Sequence, residues 1–344
     1  MITLQNTLYV MTPQAYVHLD NTTLRVDVEH EKRLQVPLHH VGTLVCFGNV
    51  LVSPALVHRL ADEGKSLVLL DGFGRFKARM EGPVSGNILL RQAQHRGASD
   101  AAITLELARS CVAGKIRNSR TLLQRGARET KDQEDAGPLT TATQHLAASL
   151  RSTAGASTVD ELRGIEGDAA RIYFSSFNYI IKPIMRDQFQ WSGRTRRPPL
   201  DKLNALLSFL YSMLMNDCRS ALETVGLDPQ LGFLHVVRPG RAALALDLQE
   251  EFRATLCDRL ALTLVNRGQL SDGDFETREG GAVLLADKGR RKVVAAWQER
   301  KQEEITHPLL DQKMPIGLLP FMQARLLARS IRGEMVSYLP YLAR

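Results

Sequence analysis

The spacing of apolar residues changes character once along this chain, near residue 95. Before that point the pattern is that of strands. Leu24, Val26 and Val28 alternate with polar residues after an Asp20-Asn21 turn, which predicts a half-buried strand. Residues 41–47 and 66–70 are short, nearly continuous apolar runs, as in strands covered on both faces. Between them SPALVHRLADEGK predicts one short helix, with Ser53 as its cap, Pro54 in its first turn and Gly64 ending it in a left-handed conformation. The stretch DGFGRFKARM predicts a hairpin. Its Gly72-Phe73-Gly74 lacks the third glycine and the following helix of a dinucleotide-binding loop.

After residue 95 the period becomes helical. Ile103, Leu107, Cys111 and Leu122 recur at helical spacing with basic residues between them. RETKDQEDAGPLTTAT mixes both charges with Gly and Pro and predicts a loop or a frayed helix end. Beyond it the helical period continues, and residues 203–214, LNALLSFLYSML, are apolar enough for a central core helix. There is no internal repeat and no low-complexity tract. The expected class is α+β, a small N-terminal β-rich domain over residues 1–95 followed by a larger all-α domain over residues 96–344.

Composition narrows the class of protein. Of 344 residues, 44% are hydrophobic and 24% charged, which excludes disorder as the main state. The four cysteines, Cys46, Cys111, Cys218 and Cys257, form no C-x-x-C pair. That excludes a disulfide framework and a thiolate zinc site, and it fits a reducing cytoplasm. MITLQNTLYV has no basic segment followed by an apolar core, so no signal peptide is expected. No apolar run approaches the ~20 residues of a membrane span. The net charge of +7 admits a polyanionic partner without identifying one.

Two loci place acids where apolar residues belong. Thr158-Val159-Asp160-Glu161 has the form of a capping box, and on the helix it would start, Leu162, Glu166, Ala169 and Tyr173 share one stripe. A carboxylate there is costly unless paired or bound to a cation. Gly164 and Gly167 beside it fit a close approach to the helix backbone; a frayed end with a solvated Glu166 is the other reading. In the second locus, residues 231–253, Pro239-Gly240 marks a turn and a helix follows from about Ala242. Ala243, Asp247, Glu250, Ala254 and Cys257 line one of its faces. Two acids among small apolar residues repel each other and lose solvation, and a bound cation offsets both penalties. His235 precedes the turn, either as a satisfied core histidine or beside those acids.

The segments GIEGDAARIYF, RPPLDKLNALLSFLYSML and GFLHVVRPGRAALALDLQEEFR resemble, in order and spacing, the CRISPR-associated adaptation integrase family. AGKIRNSRTLLQR and DGFGRFKARMEGPVSGN extend the resemblance, and HPLLDQKMPIGLLPFMQARLLARSIRG resembles its I-C subtype. The resemblance implies a metal-dependent DNA endonuclease that inserts new spacers into a CRISPR array by 3′-hydroxyl attack on a repeat-edge phosphodiester. It implies that Glu166, His235 and Glu250 hold Mg²⁺ or Mn²⁺, and that Asp247 matches an acidic position important to catalysis. It further implies double-stranded DNA partners (a prespacer and the CRISPR repeat with its leader), a homodimer formed through the β-rich region, and a small ferredoxin-like protein completing a hetero-hexamer. Arg238 and Arg241, the Arg194, Arg196 and Arg197 group, and the run Arg290, Arg291 and Lys292 are DNA-contact candidates, with solvated surface patches as the alternative. Two other functions share these features: a catalytically silent DNA-binding scaffold subunit, and a metal-dependent hydrolase of a small molecule.

Overall fold

Two sheets of four strands fill the first of two units into which contacts divide the chain, Met1–Ser85 and Gly86–Arg344, in a computed structural model that describes residues 6–74, 76–80, 82, 88–130 and 132–343. One sheet has the order β1 (Asn6–Val10), β5 (Val41–Phe47), β7 (Ser66–Leu70) and β8 (Phe76–Met80), parallel except at its last pair. The other has the order β4 (Glu31–Pro37), β3 (Thr23–Val28), β2 (Tyr16–Asp20) and β6 (Leu51–Val52).

The alternation read in the sequence is visible in burial. Leu24 and Val26 enter a core with Val17, Leu38, Leu44 and Cys46, while their neighbours on β3 stay partly exposed. Helix α1 (Pro54–Asp62) closes that core with Leu56 and Leu60. Ser53 Oγ accepts the Leu56 N–H at 3.2 Å, and Gly64 ends the segment at φ +63°. The hairpin expected over DGFGRFKARM is the antiparallel β7–β8 pair, closed by the Gly74 N–H on Asp71 O at 3.0 Å. Residue 75, and residues 81 and 83–87 of the segment quoted for the resemblance, lie outside the described residues.

The second unit opens on α2 (Ile88–Ser99), so the change of period near residue 95 falls inside a helix. Helices α3 (Ala101–Glu129), α4 (Gln133–Gly155) and α5 (Val159–Ser175) pack together. The stretch expected to be a loop is mostly the start of α4. Asp132 caps it by accepting the Glu134 N–H at 2.9 Å, and buried Leu139, Ala142 and Leu146 outweigh the poor propensity of Gly137 and Pro138. The short α6 (Pro183–Arg186) leads to α7 (Lys202–Val225), which carries the expected core segment and packs against α8 (Ala243–Glu250). α9 (Arg259–Asn266), α10 (Asp287–Gln302) and α11 (Leu319–Ile331) follow.

This unit is not purely helical. β9 (Phe275–Thr277) pairs with β10 (Val283–Leu285), and β11 (Glu304–Thr306) with β12 (Lys313–Pro315). Strands of three residues are too short to show a period of two. Among the described residues no helix is long and apolar enough to cross a membrane, and all four cysteines are free and buried.

Residues 338–343 lie back against α3 and the end of α8. Tyr338 Oη and the Tyr341 N–H donate to the carboxylate of buried Glu251 at 2.7 and 2.5 Å. Gln323 Nε2 adds a third bond at 3.2 Å. Asn118 donates to Tyr341 O and accepts the Ala343 N–H. At Gly114 a Cβ would fall 2.7 Å from Pro340, so this seat requires glycine. Burial raises the Glu251 carboxyl to about 8 despite those three donors. Between the ordinary value of 4.5 and about 8 the folded chain therefore keeps a proton that the unfolded chain gives up, and stability falls as pH rises through that window. The melting temperature of Glu251→Gln, which cannot ionise, is expected to fall less than that of the parent protein between about pH 6 and about pH 9. Parallel melting curves for the two proteins would refute this.

Candidate active site

Asp247, on α8 and 1% exposed, organises the segment before it. Its Oδ2 accepts the N–H groups of Phe233 and Leu234 at 2.6 and 3.0 Å. Its Oδ1 accepts the His235 N–H at 2.9 Å and lies 2.7 Å from His235 Nδ1. Four donors on one buried carboxylate hold residues 233–235 against the helix and fix the plane of the imidazole. Gly232 makes the approach possible, because a Cβ there would lie 2.7 Å from Asp247 Oδ2 and from the Ala243 carbonyl carbon. With Nδ1 committed to Asp247, His235 turns Nε2 toward Glu250, 3.7 Å from its Oε1.

Glu250 ends α8 and is 3% exposed. Burial alone would raise its pKa, but the Arg253 guanidinium, the Lys115 ammonium and His235 together draw it below the usual carboxylate range. Arg253 Nη2 lies 3.1 Å from Oε1, and Lys115 Nζ lies 2.7 Å from Oε2. Arg253 is itself stacked over the Tyr211 ring at 4.8 Å. Tyr211 and Tyr173 both donate to buried Asp258, whose pKa burial raises to about 6 against those bonds and the neighbouring arginines.

Glu166 joins this group from α5. The helix is intact from Val159 to Ser175, with Leu162, Ala169 and Tyr173 buried, so the frayed-end reading does not apply. The Glu166 side chain is one-quarter exposed and pairs with the same Lys115 ammonium that faces Glu250. The neighbouring glycines play no packing role, since a Cβ at Gly164 or Gly167 would meet no protein atom within 4 Å. They leave the helix surface open instead. Beside Glu166 runs a groove of about 630 Å³ whose wall includes Gly167, Phe174, Trp191, Arg194 and Arg196.

The four residues expected from the sequence thus come together. Lys115 and Arg253 were not expected; the buried Lys115 and the largely buried Arg253 are each the partner of an acid. Lys115 lies on the α3 stripe four residues after Cys111 and seven before Leu122, so a lysine on an apolar face was the available signal.

Two basic groups need correction. Arg194 turns inward, bonding Asn204 Oδ1 at 2.6 Å and Ser208 Oγ at 3.2 Å and lying over the Tyr211 ring. Arg290 is buried on Leu285 O and Asp287, and Lys292 is spent on Asp274. Arg196, Arg197, Arg238 and Arg291 remain exposed, and Arg241 is partly exposed.

Among the described residues no three of His, Cys, Asp and Glu stand close enough to enclose an ion as placed. The donor chemistry nevertheless fits one: two carboxylates already share a single cation, the Lys115 ammonium, beside an imidazole nitrogen. Oxygen with imidazole suits a hard or borderline divalent ion.

Known proteins are similar to this chain in sequence and in fold. The family described as CRISPR associated protein Cas1 matches residues 8–299. The chain is 52% identical over 341 residues to the CRISPR-associated endonuclease Cas1 1 of Moorella thermoacetica, covering 99% of each. Its fold is similar to that of a casposase bound to integration product, with a TM-score of 0.82 at 22% identity over 98% of this chain and 93% of that one. It is also similar to a chain of a Cas6-RT-Cas1–Cas2 complex, with a TM-score of 0.83 at 23% identity over 100% of this chain and 37% of that one.

Proposed function

The chain belongs to the Cas1 family of CRISPR-associated endonucleases, the integrases of CRISPR adaptation, and from that premise we propose that Glu166, His235 and Glu250 hold a divalent ion, Mg²⁺ or Mn²⁺, with Asp247 positioning His235. The observation that carries this reading is the convergence of Glu166 and Glu250 on one cation beside His235 Nε2. When bound, the ion supplies polarisation of a phosphate oxygen and stabilisation of the leaving oxygen.

The chain's own residues supply position and charge. His235 presents Nε2 as a ligand and has no free base on its other nitrogen, because Nδ1 is held by Asp247. Arg253 keeps Glu250 ionised by holding a fixed positive charge against it in a buried place. The groove beside Glu166, with Arg196 on its wall, gives a DNA strand a route to the ion. A 3′-hydroxyl attacking the repeat-edge phosphate gives strand transfer, and water in its place gives cleavage. Much of the acceleration comes from holding the two DNA ends in line.

Cleavage of branched DNA with Mn²⁺, against an EDTA control, tests the reading. Binding is expected to survive EDTA and to weaken steeply with salt, because phosphate neutralisation releases counterions. Cleavage that continued in EDTA would overturn the metal assignment. DNA binding without cleavage would favour a silent scaffold. No cleavage of branched DNA, with no salt-dependent binding, would favour a small-molecule hydrolase.

The proposed setting is cytoplasmic, supported by four free buried cysteines. The proposed assembly is a homodimer through the β-rich residues 1–95, two of which flank a dimer of a small ferredoxin-like protein and engage prespacer and repeat DNA. The occurrence of a similar chain in a Cas1–Cas2 complex supports a partner of this kind. Two joinings a repeat length apart need two separated sites. A monomer that completed both joinings unaided, judged by light scattering and a two-ended integration assay, would overturn the assembly.

A further inference from the structure

Lys115 stands where the cation of the site belongs. Its ammonium pairs with Glu166 and lies 2.7 Å from Glu250 Oε2, and its side chain is 10% exposed. No other cation lies that close to both carboxylates among the described residues. A second positive charge, Arg253, lies on the opposite oxygen of Glu250. Asp247 is neutralised separately, by three backbone N–H groups and the His235 ring.

We propose that Lys115 is the placeholder of the metal site: its ammonium holds Glu166 and Glu250 together in the metal-free protein and leaves that position when a divalent ion binds. The inference rests on the metal reading of Glu166, His235 and Glu250. Its physical basis is competition. Two carboxylates drawn together in a poorly solvated place repel each other unless a cation lies between them. An ammonium on a flexible four-carbon stem can fill that role and withdraw, whereas the guanidinium fork of Arg253 is the fixed counter-charge. The placeholder offsets the repulsion between the two acids and keeps them near their working positions before loading. It also weakens the affinity for the ion, because every loading event must first break two ion pairs.

The reciprocal consequences separate this role from that of a merely structural lysine. Lys115→Met keeps the stem and removes the charge. In EDTA this variant is expected to melt below the parent protein. With Mn²⁺, titrated alone and followed by electron paramagnetic resonance, it is expected to bind roughly tenfold or more tightly than the parent, since the competing charge is gone. Lys115→Arg, which keeps the charge on a less readily displaced fork, is expected to show no gain in Mn²⁺ affinity over the parent. Unchanged or weaker Mn²⁺ binding by Lys115→Met would overturn the proposal.

The unmodified protein provides a readout that does not depend on the variants folding. Acetic anhydride labelling of Lys115, measured by mass spectrometry, is expected to rise severalfold when Mn²⁺ is added, because the displaced amine becomes accessible. Equal labelling with and without Mn²⁺ would overturn displacement. If the parent bound no Mn²⁺, the metal reading would fail and the placeholder with it. If the parent bound Mn²⁺ and Glu166→Gln lost it while Lys115→Met matched the parent, only the placeholder would fail.

Discussion

Glu166→Gln, His235→Ala and Glu250→Gln are each expected to reduce strand transfer by about a thousandfold or more, and to lose high-affinity Mn²⁺ binding with it. Each substitution removes one donor from a set of three, and the ion's share of transition-state stabilisation is several kcal/mol, at about 1.4 kcal/mol per factor of ten. The three are not expected to behave alike in stability. Glu166 is one-quarter exposed, so its replacement leaves Lys115 with Glu250 and a nearby route to water. Glu250 is buried between Lys115 and Arg253, and its neutralisation removes a buried counter-charge from both, leaving Lys115 with Glu166 and Arg253 without that carboxylate. Glu250→Gln is therefore expected to melt several degrees lower than Glu166→Gln. Integration and disintegration assays with Mn²⁺, with melting curves alongside, check both statements. Near-normal transfer by any one variant would remove that residue from the ligand set.

Asp247→Asn carries the second large effect, for a different reason. The carboxylate accepts from three backbone N–H groups and the His235 ring. An amide has one oxygen to offer and turns an NH₂ toward donors on the other side, leaving buried groups unpaired at a cost of about 2–4 kcal/mol. The melting temperature should fall by several degrees, and His235 should lose its fixed orientation. Activity is expected to drop about a hundredfold and Mn²⁺ affinity by about ten- to a hundredfold, as for other residues that orient a metal-bound histidine. If the loss of Mn²⁺ equalled that of Glu250→Gln, Asp247 would be a direct ligand instead of the support of His235.

The candidate acids were legible in the sequence because each sits on a helix whose apolar stripe it interrupts. Periodicity alone put Glu166 with Leu162, Ala169 and Tyr173, and put Asp247 and Glu250 with Ala243. The His235 loop was legible only as a turn at Pro239-Gly240. What pulls it in is the Asp247 carboxylate, and side-chain to backbone bonds across 12 to 14 residues leave no periodic trace. The basic clusters misled because charge spacing carries no information on direction. Arg194 and Arg290 look like surface groups in the sequence, but one lies over Tyr211 and the other caps the carbonyl of Leu285.

The sequence by itself determined that a strand-rich start gives way to a largely helical remainder, the caps at Ser53 and Thr158, and which helix faces carry acids. Those properties depend on neighbours within a few residues, where backbone geometry sets the spacing. Only the tertiary structure decided what each acid faces. Lys115 meets Glu166 and Glu250 across 51 and 135 residues, and the seat of residues 338–343 on Glu251 spans about ninety. A buried ion pair is specified by the packing of α5 and α8 against α3, and that packing is the sum of many apolar contacts, none of which encodes the partner of a charge.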